Sequence, residues 1–159
     1  LDKLREFRIR FGNLRSTEEV FYLLRMDFRT ASDKLDIGDV SQDEITRQIL
    51  NLPCVYGIFQ NFSKIFCLEV NNKQTKNDIT VALLYSNLKL AVEATNSFSI
   101  PNDWYVAQWS DVEDALKACI ELDVDAVAFD SLPEGDNLTG LVIDKASLKE
   151  LLWLSLTAN

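Results

Sequence analysis

Residues 122–144 hold the side chains best suited to chemistry. Asp123, Asp125, Asp130, Glu134, Asp136 and Asp144 place six carboxylates in 23 residues. Asp123 and Asp125 flank Val124 as D-x-D. In an extended segment, residues i and i+2 point the same way, so both carboxylates could face one cation. Asp130 joins them as a third, weak metal candidate. A calcium ion takes roughly six to eight oxygens. The loop at 131–137 adds Glu134, Asp136 and Asn137 but lacks the D-x-D-x-D-G order of a calcium loop. The competing expectation is a turn, because acids set among Gly, Asn and Pro accept backbone hydrogen bonds and stay solvated. A catalytic carboxylate pair needs one member shifted by burial or by a close neighbour, and no such signal is present. The sequence therefore assigns no catalytic, cofactor-binding or metal-ligating residue, and no cofactor.

The chain contains no histidine. That removes His-dependent triads, Cys–His pairs, His-bearing metal sites and imidazole proton shuttles. Ser86 and Ser110 could act as nucleophiles only with a lysine base, and Lys89 is the local candidate beside Ser86. Helix capping accounts for both serines without chemistry. Cys54, Cys67 and Cys119 form no C-x-x-C and no zinc spacing. Each sits in an apolar run as a small hydrophobe. Three cysteines without a disulfide framework suit a reducing compartment, and a cytoplasmic location is expected. No apolar run reaches the roughly 18 residues of a membrane span, and no signal peptide is visible. The first residue is Leu1 rather than Met, so an upstream piece could be missing.

The net charge of −9 is unevenly spread. Residues 1–34 carry eight Lys/Arg against six Asp/Glu, and residues 35–159 carry eight against nineteen. An acidic body repels phosphate backbones, so nucleic acid is an unexpected partner. It favours another protein with a basic surface, chiefly through faster encounter. Solubility alone is the plainer explanation. The basic stripe of Lys3, Arg5, Arg8, Arg10 and Arg15 is interleaved with Phe7, Ile9 and Phe11. It is either a solvated arm or a contact with an acidic surface, including this protein's own body in a homodimer. Tyr56, Phe59, Phe62 and Phe66 form an aromatic cluster, with Trp104, Trp109 and Trp153 further along. Core packing is the ordinary role of such residues, and an exposed aromatic cluster marks a recognition surface. The partner-binding candidates are thus Tyr56, Phe59, Phe62, Phe66, Trp104, Trp109, Asp130, Glu134 and Asp136. The three tryptophans are expected to be mostly buried.

Three S-x-x-E capping boxes, at Ser16, Ser41 and Ser110, announce helices. Each is followed by helical periodicity, clearest in Val112, Ala115, Leu116, Cys119 and Ile120. Ser86 is expected to cap a short helix over 86–94, and Asp144 a last helix from Lys145. Strands are expected over 54–60, 64–70, 79–85, 104–109, 124–130 and 138–144, the first two as a hairpin. The run 79–85 is almost wholly apolar, as in a strand buried on both faces. The stretch 32–41 separates an N-terminal helical segment (1–52) from an α/β body (53–159).

From residue 79 onward the order is specific. A strand ending Leu84-Tyr85-Ser86 enters a short helix, the extended 104–109 segment enters a capped helix, and "ELDVDAVAFDS" leads to "LVIDKASLKELL". Over about 54–154 this resembles the SseB N-terminal-domain family, named for enhanced serine sensitivity. The chain departs from that pattern in lacking Asn-Pro after Phe129-Asp130-Ser131 and in carrying Asp123 where Gly is usual. The resemblance implies a small intracellular adaptor without enzymatic activity, and it transfers no catalytic residue. The layout also resembles acidic type III secretion chaperones, which bind an unfolded segment of a secreted protein. Charge and size fit an immunity-type inhibitor of a basic toxin as well. The expected fold is α/β (α+β), a mixed sheet of about five to six strands flanked by helices and preceded by two N-terminal helices. The expected function is non-enzymatic protein binding through a sheet face, a groove or a strand edge.

Overall fold

The computed structural model describes residues 28, 29, 38, 41–61, 64–71, 77–135 and 137–157. The Ser16 capping box, the basic stripe up to Arg15, Phe62 and Asp136 lie outside them. The fold is α+β. Helix α1 (Gln42–Leu50) starts at Ser41, whose hydroxyl oxygen accepts from the Glu44 amide at 3.1 Å. Strands β1 (Val55–Gln60), β2 (Lys64–Ile65), β3 (Cys67–Asn71) and β4 (Asp78–Leu84) follow. Then come α2 (Leu88–Ser97), β5 (Tyr105–Trp109), α3 (Val112–Glu121) and β6 (Ala126–Phe129). The short pair β7 (Pro133–Glu134) and β8 (Asn137–Leu138) precedes β9 (Leu141–Asp144) and α4 (Lys145–Thr157).

Two sheets are built from these strands. One has the order β2-β1-β5 and is antiparallel; the other has the order β3-β4-β6-β9 and is mixed, with β4 and β6 parallel. The single strand expected over 64–70 is divided at Phe66. Its amide donates to Ile58 O on the β1 side, and its carbonyl accepts from Leu83 on the β4 side. Phe66 thus passes the chain from one sheet to the other. A reciprocal bridge between Tyr56 and Tyr85, with both N···O distances at 2.8 Å, ties β1 to the end of β4.

Strand alternation sorts side chains onto two faces. Val55 and Phe59, Ala82 and Leu84, Ala107 and Trp109, and Val127 and Phe129 face α1, α3 and α4. Tyr56 and Ile58, Val81 and Leu83, Val106, and Ala126 and Ala128 face α2. Burial on both faces explains why β4 and β6 read as continuous apolar runs. Ile45 and Ile49 of α1 enter the same core as Leu148 and Leu151 of α4.

Two helix starts differ from expectation. Asp111, not Ser110, caps α3, its carboxylate accepting from Glu113 N at 2.8 Å. Asn87, not Ser86, caps α2, accepting from Leu90 N at 2.9 Å. In both cases a cap residue of equal quality stands one position later. Asp144 accepts from Ser147 N at 2.7 Å at the start of α4.

Candidate functional site

The parallel strands β4 and β6 end side by side, the position where open α/β sheets commonly hold ligands. The chain there reads Leu84-Tyr85-Ser86 beside Phe129-Asp130-Ser131. Asp130 takes a left-handed backbone conformation (φ 58°), and its amide donates to Leu84 O at 2.9 Å. This turns the carboxylate back over β4. Oδ1 accepts from the Ser86 amide at 2.7 Å; Oδ2 accepts from the Ser86 hydroxyl at 2.6 Å and from the Phe28 amide at 2.7 Å. Phe28 covers the site, 1% exposed, with its ring edge-on to Phe129 at 5.6 Å. Beside it the Tyr85 hydroxyl donates to Ser131 O at 2.7 Å. Burial, and then the Asp130 charge, push the Tyr85 phenol well above its ordinary pKa. Asp130 is wholly buried. It is a lock that ties β4, β6 and residue 28 together, not the surface acid that its place among the partner-binding candidates requires. Ser86 is consumed in the same lock, and Lys89 is exposed on the first turn of α2.

Asp125 sits at the opposite end of β6. Its amide and Oδ2 pair with Thr80 O and N, each at 2.9 Å, and its carbonyl accepts from Lys145 N at 3.0 Å. Asp123 is exposed nearby. Five residues of near-extended chain place Asp125 roughly 15 Å from Asp130. The D-x-D pair and Asp130 therefore share no cation position. Among the described residues, no three His, Cys, Asp or Glu side chains are grouped to hold a metal ion.

The aromatic candidates divide sharply. Phe59 is wholly buried, edge-on to Trp109 at 5.3 Å, and Tyr56 and Trp109 are buried too. These three are core, not partner surface. Gly57 makes room for the Phe59 ring, which would lie 2.7 Å from a Cβ at that position. Phe66 and Trp104 are half-buried and pack edge-on at 5.3 Å. Trp153, expected to be buried, is 64% exposed. Glu134 is exposed at the β7–β8 turn. The thiols are poor nucleophiles. Burial raises Cys67 to about 11 and Cys119 to about 12, the latter also raised by Cys67. Burial raises Cys54 as well, against hydrogen bonds from Tyr56 and Gln108.

A surface not singled out in the sequence lies between α1, β9 and α4. It is a groove of about 260 Å³ lined by Ile45, Ile49, Leu141, Ile143 and Leu151, with Asp43, Asp144 and Glu150 contributing carboxylates. Among the described residues, Gln42, Thr46, Val142 and Ser147 complete the lining, and none is Lys or Arg. Among the described residues, β9 pairs as a strand only with β6, and just ahead of it the Gly140 amide donates to Arg29 O at 3.0 Å. Val142 on that strand is 47% exposed. One sequence signal pointed here: Leu141-Val142-Ile143 is apolar at both strand parities, so one apolar side chain lacks cover if the strand lies at an edge. Chemically the groove can bind an apolar side chain and cations beside it.

Compared with known proteins, the chain matches no protein-family model and no curated protein. No helix among the described residues is long and apolar enough to cross a membrane.

Proposed function

We propose that this protein is a non-enzymatic protein-binding module and that the α1–β9–α4 groove is its binding surface. The observation that carries the proposal is the coincidence of an apolar floor, three carboxylates and, among the described residues, no lining cation and no second strand paired with β9. The buried residues support it indirectly. The Asp130 carboxylate and the Ser86 hydroxyl are engaged with each other, and burial holds the thiols protonated. The likeness to the SseB N-terminal-domain family, with its implied adaptor role, points the same way. Affinity capture from the source cell tests the proposal when the wild-type chain is run beside an Asp43→Lys/Glu150→Lys variant. Both residues are exposed, so the variant is expected to fold. A protein retained by the wild type and lost from the variant supports the groove. An identical retained set on both would move the binding surface elsewhere.

A further inference from the structure

We infer that the groove's occupant is an extended segment of a partner protein, alternating basic and apolar residues, added as a strand to the outer edge of β9. The inference rests on the groove being the binding surface and adds the partner's chemistry. An edge strand presents a row of unpaired N–H and C=O groups, which is the standing template for strand addition. Edge strands are usually protected by charge, Pro or a cover. On β9, Leu141–Ile143 are all apolar, and Asp144 is the strand's one charged residue.

Side-chain direction sets the alternation. Leu141 and Ile143 point to the helix face of the sheet, where they line the groove with Ile45, Ile49 and Leu151. Val142 and Asp144, one register out of phase, are exposed. In an added strand, alternate side chains point to opposite faces. One set would enter the groove and should be apolar. The other set would lie beside Val142 and Asp144, where a cation is favoured. Asp43 at the start of α1 and Glu150 on α4 extend the negative rim along the groove. Among the described residues the lining supplies no positive charge to an acidic partner, and the body's excess of carboxylates repels one at longer range. A basic helix would satisfy the charge but not the free amides of β9.

The test uses a capped peptide of alternating Arg and Val, a second with the same composition in blocks, and a third N-methylated at alternate residues. The third is made in both phases. N-methylation keeps charge and apolar surface but removes the amide hydrogens of one edge. The full chain should bind the alternating peptide with about tenfold higher affinity than the blocked one, and one N-methylated phase should lose about tenfold while the other does not. The Asp43→Lys/Glu150→Lys variant should bind it more weakly, with a smaller loss on adding salt. Backbone amide exchange at 141–144 should slow on binding. Equal affinity for all the peptides without slowing at 141–144 would overturn strand addition and leave only general attraction of cations. Peptide-induced loss of a pre-existing dimer through the same strand would also overturn it, since the natural occupant would be a second copy. If strand addition fails while cellular capture still depends on Asp43 and Glu150, the binding-module reading survives. If both fail, neither does.

Discussion

Asp130 and Asp125 are indistinguishable by type and by local composition, yet they do opposite things. Asp125 continues the ladder at an exposed end of β6; Asp130 is wholly enclosed by donors. Replacing one carboxylate oxygen with an amide turns an acceptor into a donor facing donors. Asp130→Asn should therefore cost about 2–4 kcal/mol in urea unfolding, whereas Asp123→Asn should stay within about 0.5 kcal/mol. Gly140 belongs to the same corner. Its φ is 101°, and a Cβ would lie 2.4 Å from Phe129 O and 2.7 Å from Ser131 Oγ. Gly140→Ala should lower stability by about 2 kcal/mol or more, read by the same method. The thiols give a pH dependence. Cys119 has an ordinary value of 9.0 and is raised to about 12 by burial. The unfolded chain therefore loses this proton first, and stability should fall as pH rises from about 9 towards 12. Thermal unfolding across that range checks the sign. Cys119→Ser is unsuitable as a control because it buries a hydroxyl; Cys119→Ala should flatten the slope. None of these distinctions is visible in sequence, because each depends on which residues the fold brings in as neighbours, from 9 positions away at Gly140 to 102 at Asp130.

Elements were more legible than residues, since periodicity and apolar runs are local signals. The helix at 112–121 and the strands at 55–60, 78–84 and 105–109 fall within a residue or two of expectation. The Ser41 cap and the Asp144 cap are where the sequence places them. Ser110, read from a capping box, and Ser86, read as a simple cap, both misled because the Asp or Asn that follows competes for the same role. Asp111→Ala should cost about 1 kcal/mol and Ser110→Ala about half that or less, measured by chemical denaturation. The break at Phe66 was illegible for a different reason. Nothing in "KIFCLEV" changes at that point; the change is in which strand lies on either side. Trp153 shows the limit of reading apolar side chains as core. In helix α4, Leu148 and Leu151 are buried while Trp153 is 64% exposed. Trp109→Phe should cost more stability than Trp153→Phe, and the Trp153 variant should lose most of the iodide-quenchable fluorescence.

At the scale of the whole molecule, charge was legible and its address was not. The acidic excess after residue 34 follows from counting. That three carboxylates meet at an apolar groove follows from topology: Asp144 and Glu150 lie on β9 and α4, which are consecutive in the chain, and packing brings Asp43 on α1 against them. The place of β9 has the same origin: among the described strands it is last in its sheet, and no local pattern marks a strand as last. The groove was therefore missed, while buried Phe59 and Trp109 were offered as surface. β9 and its two flanking helices are the proposed surface that meets another protein. Amide hydrogen exchange of the full chain, with and without a captured partner, tests this most directly. Slowing is expected to concentrate at 141–144 and on the facing sides of α1 and α4. Slowing confined to the half-buried Phe66–Trp104 side, with 141–144 unchanged, would contradict it.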